Sequence, residues 1–149
     1  MEHILKKQKE NISILSIINW LAKEIDEVIS QNTDNKLLNQ RAVRYILLAL
    51  SVEDGVTQND IVRVTHLKGS TISIALDKMI NGGLVVKKDD SYDKRAFRVY
   101  LTDEGLKLKR QVDGIMEQIN QKAMKGIVKR DEDASFYVLF KMIENLTEK

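Results

Sequence analysis

The sequence predicts a mainly α-helical protein with one β-hairpin, its elements in the order α-α-α-α-β-β-α-α. Three observations favour this fold class. Apolar residues recur at alternating spacings of three and four over most of the 149 residues, and proline is absent. The spacing changes to two only between residues 84 and 101. Most of the seven glycines fall where the apolar periodicity stops, which is typical of short connections between helices.

The first predicted helix runs from about Ile4 to Ser30, and the second from about Lys36 to Ser51. Thr57 and Asp60 have the spacing of a capping box, in which a threonine side chain and an acidic side chain satisfy the free N–H groups at a helix start. That pattern predicts a short third helix.

The fourth helix is expected to start after Gly69 and to stop at the Gly82-Gly83 pair. Two hairpin strands, Leu84–Val86 and Phe97–Leu101, should follow. Thr102 begins a long fifth helix, because two acidic residues come directly after it. A break near residues 126–130 separates the fifth helix from the last one.

The terminal helices, residues 1–31 and 103–149, predict a dimer interface. Their apolar stripes are longer than one small core needs, so we expect a symmetric homodimer. The alternative is that the stripes cover the central unit of the same chain. The predicted interface residues are Ile14, Ile18, Leu21, Ile25, Phe136, Phe140 and Ile143.

Composition excludes several classes of function. The absence of cysteine excludes disulfides and thiol-based sensing. No apolar run approaches the roughly 20 residues of a membrane helix, and no secretory signal is recognisable, so we expect a cytoplasmic protein. The net charge is +2, but residues 57–100 have 8 basic and 5 acidic residues, an excess of +3. That is a modest electrostatic footprint for a polyanion.

The outer face of the fourth helix is the first candidate binding surface. At 100° per residue, one face holds Ile72, Leu76, Met79 and Ile80, and the opposite face holds Ser70, Thr71, Ile74, Asp77, Lys78 and Asn81. Small polar side chains at a helix start allow close entry into the DNA major groove. Ile74 suits a thymine methyl, although lone exposed apolar residues are common. The predicted DNA contacts here are Ser70, Thr71, Ser73, Ile74 and Lys78.

The hairpin tip is the second candidate surface. Its basic residues are Lys87, Lys88, Lys94, Arg95 and Arg98, set among Asp89, Asp90 and Asp93. A charge-balanced, solvated turn is the simple alternative. Directly after the fourth helix, the basic residues are better interpreted as DNA contacts. Asp93 is expected to orient Arg95, and a preoriented guanidinium suits a narrow minor groove.

These residues also resemble a known family. The run GSTISIALDKMINGGLVVKKDDSYDKRAFRVYLTDEG is similar to the recognition helix and wing of MarR-family (multiple-antibiotic-resistance) regulators. The resemblance rests on a Gly-Leu-Val turn (83–85), an Asp-x-Arg tip (Asp93 and Arg95) and a Leu-Thr-x-x-Gly restart (101–105). Helix order and lengths extend it over the whole chain.

The resemblance implies a homodimeric winged helix-turn-helix transcription factor, with a DNA-binding lobe at residues 36–101 inside a single domain of residues 1–149. It implies double-stranded DNA as partner, a pseudopalindromic operator, a repressor role and release by a small-molecule effector. Arg95 is expected to enter the minor groove. The chain departs from the family at Ile74, where an arginine is common, so its base preference is expected to differ.

Catalysis and metal binding find little support in the sequence. Two histidines are too few for a convincing metal site, although His3 with Glu2 or Glu10 is a conceivable ligand set. No catalytic constellation is recognisable, so we expect neither an enzyme nor a cofactor. Aromatic residues at helical spacing could line an effector cleft, but such residues are more often core. The alternative function is a helical protein–protein interaction module with the same fold.

Overall fold

The protein is described by a computed structural model over residues 12–52, 55–90 and 97–148. Its elements are α1 (Ile14–Gln31), a 3-10 helix (Lys36–Asn39), α2 (Arg41–Val52), β1 (Val56–Thr57), α3 (Gln58–Thr65), α4 (Gly69–Asn81), β2 (Val85–Asp89), β3 (Phe97–Leu101), α5 (Asp103–Ala123) and α6 (Lys129–Thr147). The chain forms two compact units, one ending at Glu117 and the other beginning at Gln118. The predicted mainly helical fold with a hairpin after the fourth helix is confirmed.

The second helix differs from its prediction. In place of one helix over residues 36–51, a 3-10 turn precedes α2, and Gln40 between them is extended, with φ −91° and ψ 114°. The Gln40 carbonyl accepts from the N–H groups of Val43 and Arg44, so this residue starts α2 as its N-terminal cap. Apolar periodicity runs through the break, which is why the sequence did not reveal it.

The sheet has three strands in the order β1-β3-β2, all antiparallel. The predicted hairpin is present, with Val85 opposite Leu101 and Lys87 opposite Val99. β2 begins and ends later than predicted, and the two-residue β1, which pairs Val56 with Val99, was missed. A strand this short has no detectable alternation.

α4 ends in a Schellman motif that sets the start of the wing, the segment from β2 to β3. Gly83 adopts φ +68°, its N–H donates to the Ile80 carbonyl, and the N–H of Leu84 donates to the Met79 carbonyl at 2.8 Å. The left-handed conformation suits glycine because it has no Cβ. The Gly-Leu-Val pattern therefore fixes where α4 stops and β2 begins.

The Leu-Thr-x-x-Gly restart fastens α5 to that same turn. Thr102 donates its hydroxyl hydrogen to the Gly83 carbonyl at 2.6 Å, its N–H donates to the Leu84 carbonyl, and its Oγ1 accepts from the Gly105 N–H. A Cβ built on Gly105 lies 2.0 Å from the Leu84 carbonyl oxygen. Only glycine permits this approach of helix to turn.

The lobe of residues 36–101, named here the winged lobe, has its own apolar core. The core side chains come from α2, α3, α4 and both long strands, and include Ile46, Leu47, Ile61, Ile72, Leu76, Met79 and Val99, each at most 1% exposed. This packing fixes the orientation of α4 and of the hairpin base within the lobe.

Candidate nucleic-acid interface

The outer face of α4 is free of the core, as its pattern predicted. Ile72, Ala75, Leu76 and Met79 are buried, whereas Ser70, Thr71, Ile74 and Lys78 are exposed and Ser73 is half-buried. Ile74 is 59% exposed. Ile80, predicted to be core, is half-buried at the edge of the buried face.

The first turn of α4 has no side-chain cap. Lys68 occupies the N-cap position in an extended conformation and makes no capping hydrogen bond. The first N–H groups of a helix have no partner within the helix, and the helix dipole places partial positive charge there. Lys68, Ser70 and Thr71 therefore surround a start of helix that favours anions.

α3 and the following turn hold α4 in place. The predicted capping box is present: the Thr57 hydroxyl and N–H both donate to Asp60, at 2.7 and 3.1 Å, and Asp60 N–H donates back to Thr57 Oγ1. His66 ends α3 in the left-handed region, with φ 55°. It lies three residues before the start of α4, in the turn between the two helices.

The two hydrogen bonds from Thr57 hold the pKa of the Asp60 carboxyl below its usual value. A second carboxyl with a lowered pKa is Asp26 on α1, chiefly because Arg41 donates two hydrogen bonds to it, with Arg44 adding to the effect. Both carboxylates therefore stabilise the first unit when they are ionised.

Three of the predicted DNA-binding lysines contact other side chains of the same lobe. Lys78 Nζ donates to Gln40 Oε1 at 3.0 Å. Lys87 lies 3.8 Å from Asp77 Oδ1 and 4.2 Å from the centre of the Phe97 ring. Lys88 lies 4.8 Å from the centre of the Tyr100 ring. These contacts are exposed and weak, so they orient the lysines without neutralising the surface.

Arg98 is more deeply engaged. Its Nε donates to Asp90 Oδ2 at 2.6 Å, and its Nη1 donates to the Gly55 carbonyl at 2.8 Å. Asp90 is almost fully buried, whereas the Arg98 side chain is 37% exposed. The other predicted wing residues, Asp93, Lys94 and Arg95, lie outside the described residues, as do the conceivable metal ligands Glu2, His3 and Glu10.

A cavity of about 360 Å³ lies beside Arg98 in the winged lobe. Its walls combine apolar side chains with one carboxylate and two guanidinium groups; the lining residues are Ala49, Val56, Asp60, Ile61, Arg63, Val64 and Arg98. This volume is at the small end of ligand pockets. No local sequence pattern predicts it, because its walls come from four separate elements.

The predicted interface residues are largely uncovered. On α1, Ile14 and Leu21 are exposed and Ile18 and Ile25 are half-buried. α6 has no buried residue along its 19 residues, all of them described. Phe136 and Phe140 stack on each other with ring centres 6.4 Å apart, and both are exposed, as is Ile143.

In the described part of the chain, His, Asp and Glu form no cluster of three or more that suits a metal ion. Of the helices described, none is long and apolar enough to cross a membrane.

The helix pair α3–α4, followed by the hairpin and supported by α2, defines a winged helix-turn-helix protein. The family model described as MarR family matches residues 40–96, which span α2 to the end of the hairpin tip. The resemblance found in the sequence is therefore confirmed over residues 40–96, which match the MarR family, and the chain as a whole has a winged helix-turn-helix fold.

Solved structures share this fold over most of the chain. A MarR protein from Peptoclostridium difficile is 20% identical, with a TM-score of 0.80 over 91% of this chain and 88% of its own. PcaV from Streptomyces coelicolor, in complex with its natural ligand, is 24% identical, with a TM-score of 0.76 over 91% and 94%. BpsR from Bordetella bronchiseptica, whose DNA binding is regulated by 6-hydroxynicotinic acid, is 23% identical, with a TM-score of 0.71 over 85% and 95%. No curated protein matches the sequence.

Proposed function

We propose that this chain is a sequence-specific, double-stranded DNA-binding regulator that acts as a homodimer and represses transcription from a pseudopalindromic operator. The observation that carries the proposal is the outer face of α4, where an uncapped helix start and short polar side chains stand free of the core. Such a face approaches base edges closely, and free N–H groups suit phosphates. The family match over residues 40–96 supports the same conclusion.

The proposed contacts divide by chemistry. Ser70, Thr71 and Ser73 reach phosphates and base edges, and Ile74 meets a thymine methyl. The exposed lysines of α4 and β2 neutralise phosphates without reading sequence. Arg95, oriented by Asp93, enters the minor groove, so one protomer spans neighbouring grooves.

The surface of α6 supports the proposed dimer. A helix with exposed Phe136, Phe140 and Ile143 leaves an apolar stripe in water, which the hydrophobic effect disfavours. Pairing of the terminal helices with a second copy buries this stripe and gives two α4 helices related by a twofold axis. Twofold symmetry requires half-sites about 10 bp apart, or a multiple of one DNA turn.

Release by a small molecule is the regulatory part of the proposal. Two proteins of the same fold support it, since DNA binding by BpsR is regulated by 6-hydroxynicotinic acid and PcaV binds a natural ligand. An effector of this chain is expected to lower its operator affinity. We also propose that the chain is not catalytic and needs no cofactor.

A protein–protein interaction module is the second candidate. The observation that favours it is the partial use of the basic residues, because Lys78 and Lys87 contact Gln40 and Asp77 of the same chain. Salt dependence separates the two functions. Phosphate neutralisation makes DNA affinity fall steeply with added salt, by at least about a hundredfold between about 50 and about 200 mM.

The direct test combines that salt series with two variants and a matched control. Arg95→Ala is expected to weaken binding to the best site by about 1–3 kcal/mol, and Thr71→Ala to weaken it by a smaller amount. Lys122→Ala removes one positive charge from α5, outside the proposed DNA-binding surface, and is expected to leave affinity unchanged. No binding at about 50 mM salt, or unchanged affinity in both DNA-surface variants, contradicts the proposed docking.

A further inference from the structure

The base of the hairpin tip has an ion pair between Asp90, whose carboxylate is buried, and Arg98, which is partly exposed. Asp90 is the last described residue before the tip, and Arg98 is the second described residue after it. The Arg98 Nε donates to the Asp90 carboxylate at 2.6 Å, and that carboxylate is only 5% exposed. A buried carboxylate is stable only when it is paired, so the two strands are held together here.

The same guanidinium reaches a third point in the lobe. Its Nη1 donates to the carbonyl of Gly55, 43 residues earlier in the chain, and the Gly55 N–H donates to the Val99 carbonyl at 3.0 Å. Gly55 has φ +81°, and a Cβ there lies 2.5 Å from the Tyr100 ring. Because Gly55 leads into β1 and α3, Arg98 connects the wing base to the helix-turn-helix.

We infer that Arg98 is a positioning residue that fixes the wing relative to α4, so that Arg95 reaches the minor groove, and that it is not itself a DNA contact. This revises the sequence-based expectation for Arg98, and it rests on the proposed function. Two of its donor atoms are already used within the lobe, and Asp90 neutralises its charge. Little positive charge is left there to attract a phosphate.

Lysine cannot replace this arginine in a positioning role. A guanidinium presents donors in a planar fork, whereas an ammonium is a single point charge on a flexible stem. We therefore expect Arg98→Lys to lower DNA affinity about tenfold although the net charge is unchanged, and the logarithmic salt slope to fall by about 1, because the Arg95 contact is lost. If residue 98 instead contacted a phosphate directly, lysine would keep that contact and the salt slope of the Arg98→Lys variant would be unchanged.

The decisive experiment is a double-mutant cycle with Arg98→Lys and Arg95→Ala, measured by fluorescence anisotropy on one operator. If Arg98 acts through Arg95, Arg98→Lys should lower the DNA affinity of the Arg95→Ala variant by less than about twofold. Asp90→Asn is expected to behave like Arg98→Lys. Arg41→Lys is the matched control, because Arg41 also makes two hydrogen bonds to one carboxylate, Asp26, outside the proposed DNA-binding surface.

Thermal unfolding of each variant separates misplacement from unfolding. If Arg98→Lys is not folded at the assay temperature, the neutral pair Asp90→Asn with Arg98→Gln takes its place in the cycle, with the same expectation. An equal loss in both backgrounds, or no loss in either, overturns the inference and leaves DNA binding intact. Failure of the unaltered chain to bind DNA at about 50 mM salt overturns the proposed function, and this inference with it.

Discussion

The winged lobe and α6 differ in the burial of their apolar side chains. In the lobe, one face of each of α2, α3 and α4 packs its large apolar residues into a core, and many of these core residues are at most 1% exposed. In α6, seven large apolar residues are at least 40% exposed and none is buried. The core of the lobe is thus formed within one chain, whereas the apolar surface of α6 is the one that we propose pairs with a second copy. Folding and assembly are therefore separate properties that separate substitutions should affect.

The largest expected effect is on assembly. Phe140→Glu introduces a charge into the proposed dimer interface and should raise the dimer dissociation constant at least about 100-fold, or about 2.7 kcal/mol, because an unpaired charge is costly to bury. Sedimentation equilibrium measures the change. Leu48→Glu is the control, since Leu48 on α2 is 60% exposed and Phe140 is 61% exposed. Dimers of equal strength in both variants would place the interface elsewhere.

The next effect is on folding of the lobe. Gly105→Ala should lower the free energy of unfolding by about 3 kcal/mol or more, because the new methyl group overlaps the Leu84 carbonyl. Gly114→Ala, on the same helix but where an added Cβ meets open space, should raise it by about 0.5–1 kcal/mol. Urea denaturation compares the two variants. If both substitutions change the free energy of unfolding in the same direction, the close approach at Gly105 is not what holds α5 against the turn.

A smaller effect concerns base preference. Ile74→Ala should weaken binding by about 1 kcal/mol on an operator with thymine at the contacted position. Replacing that thymine by uracil removes the same methyl contact, so the variant should then bind like the unaltered chain. Competition assays measure the loss of affinity caused by Ile74→Ala on each of the two operators. If the substitution weakens binding equally on the thymine and uracil operators, the Ile74 side chain contacts something other than the methyl group.

The smallest effect is on acid stability. The pKa of Asp60 is lowered in the folded chain, so its contribution is present above the unfolded pKa of about 3.9 and is lost as the pH falls through the folded value. Asp60→Asn and Thr57→Val should each reduce the loss of stability between pH values of about 5 and about 2.5. Part of the pH dependence of stability should remain in both variants, because the pKa of Asp26 is also lowered in the folded chain. An unchanged pH profile in both would mean that the capping box does not contribute.

Local chemistry made much of the lobe predictable. The Thr57–Asp60 spacing located the start of α3, the glycine pair located the end of α4, and strict alternation located Phe97–Leu101 as a strand. Each of these signals acts through neighbours a few residues apart. The extended residue Gln40 was missed because apolar periodicity runs through it.

The base of the wing shows why the rest was not predictable. The sequence places Arg98 among basic residues of a hairpin, and from that pattern alone a DNA contact is the natural interpretation. Its hydrogen bond to Gly55 joins residues 43 positions apart, and no local pattern encodes that distance. β1 pairs with β3 across a similar separation, and it was missed for the same reason.

The central proposal is that the α4 faces of two copies bind one DNA duplex. Selection of binding sites from random DNA tests this directly. The expected result is a dyad-symmetric motif whose half-sites are about 10 bp apart, bound by a dimer. Recovery of no motif, or of a single asymmetric element bound by one protomer, would contradict it.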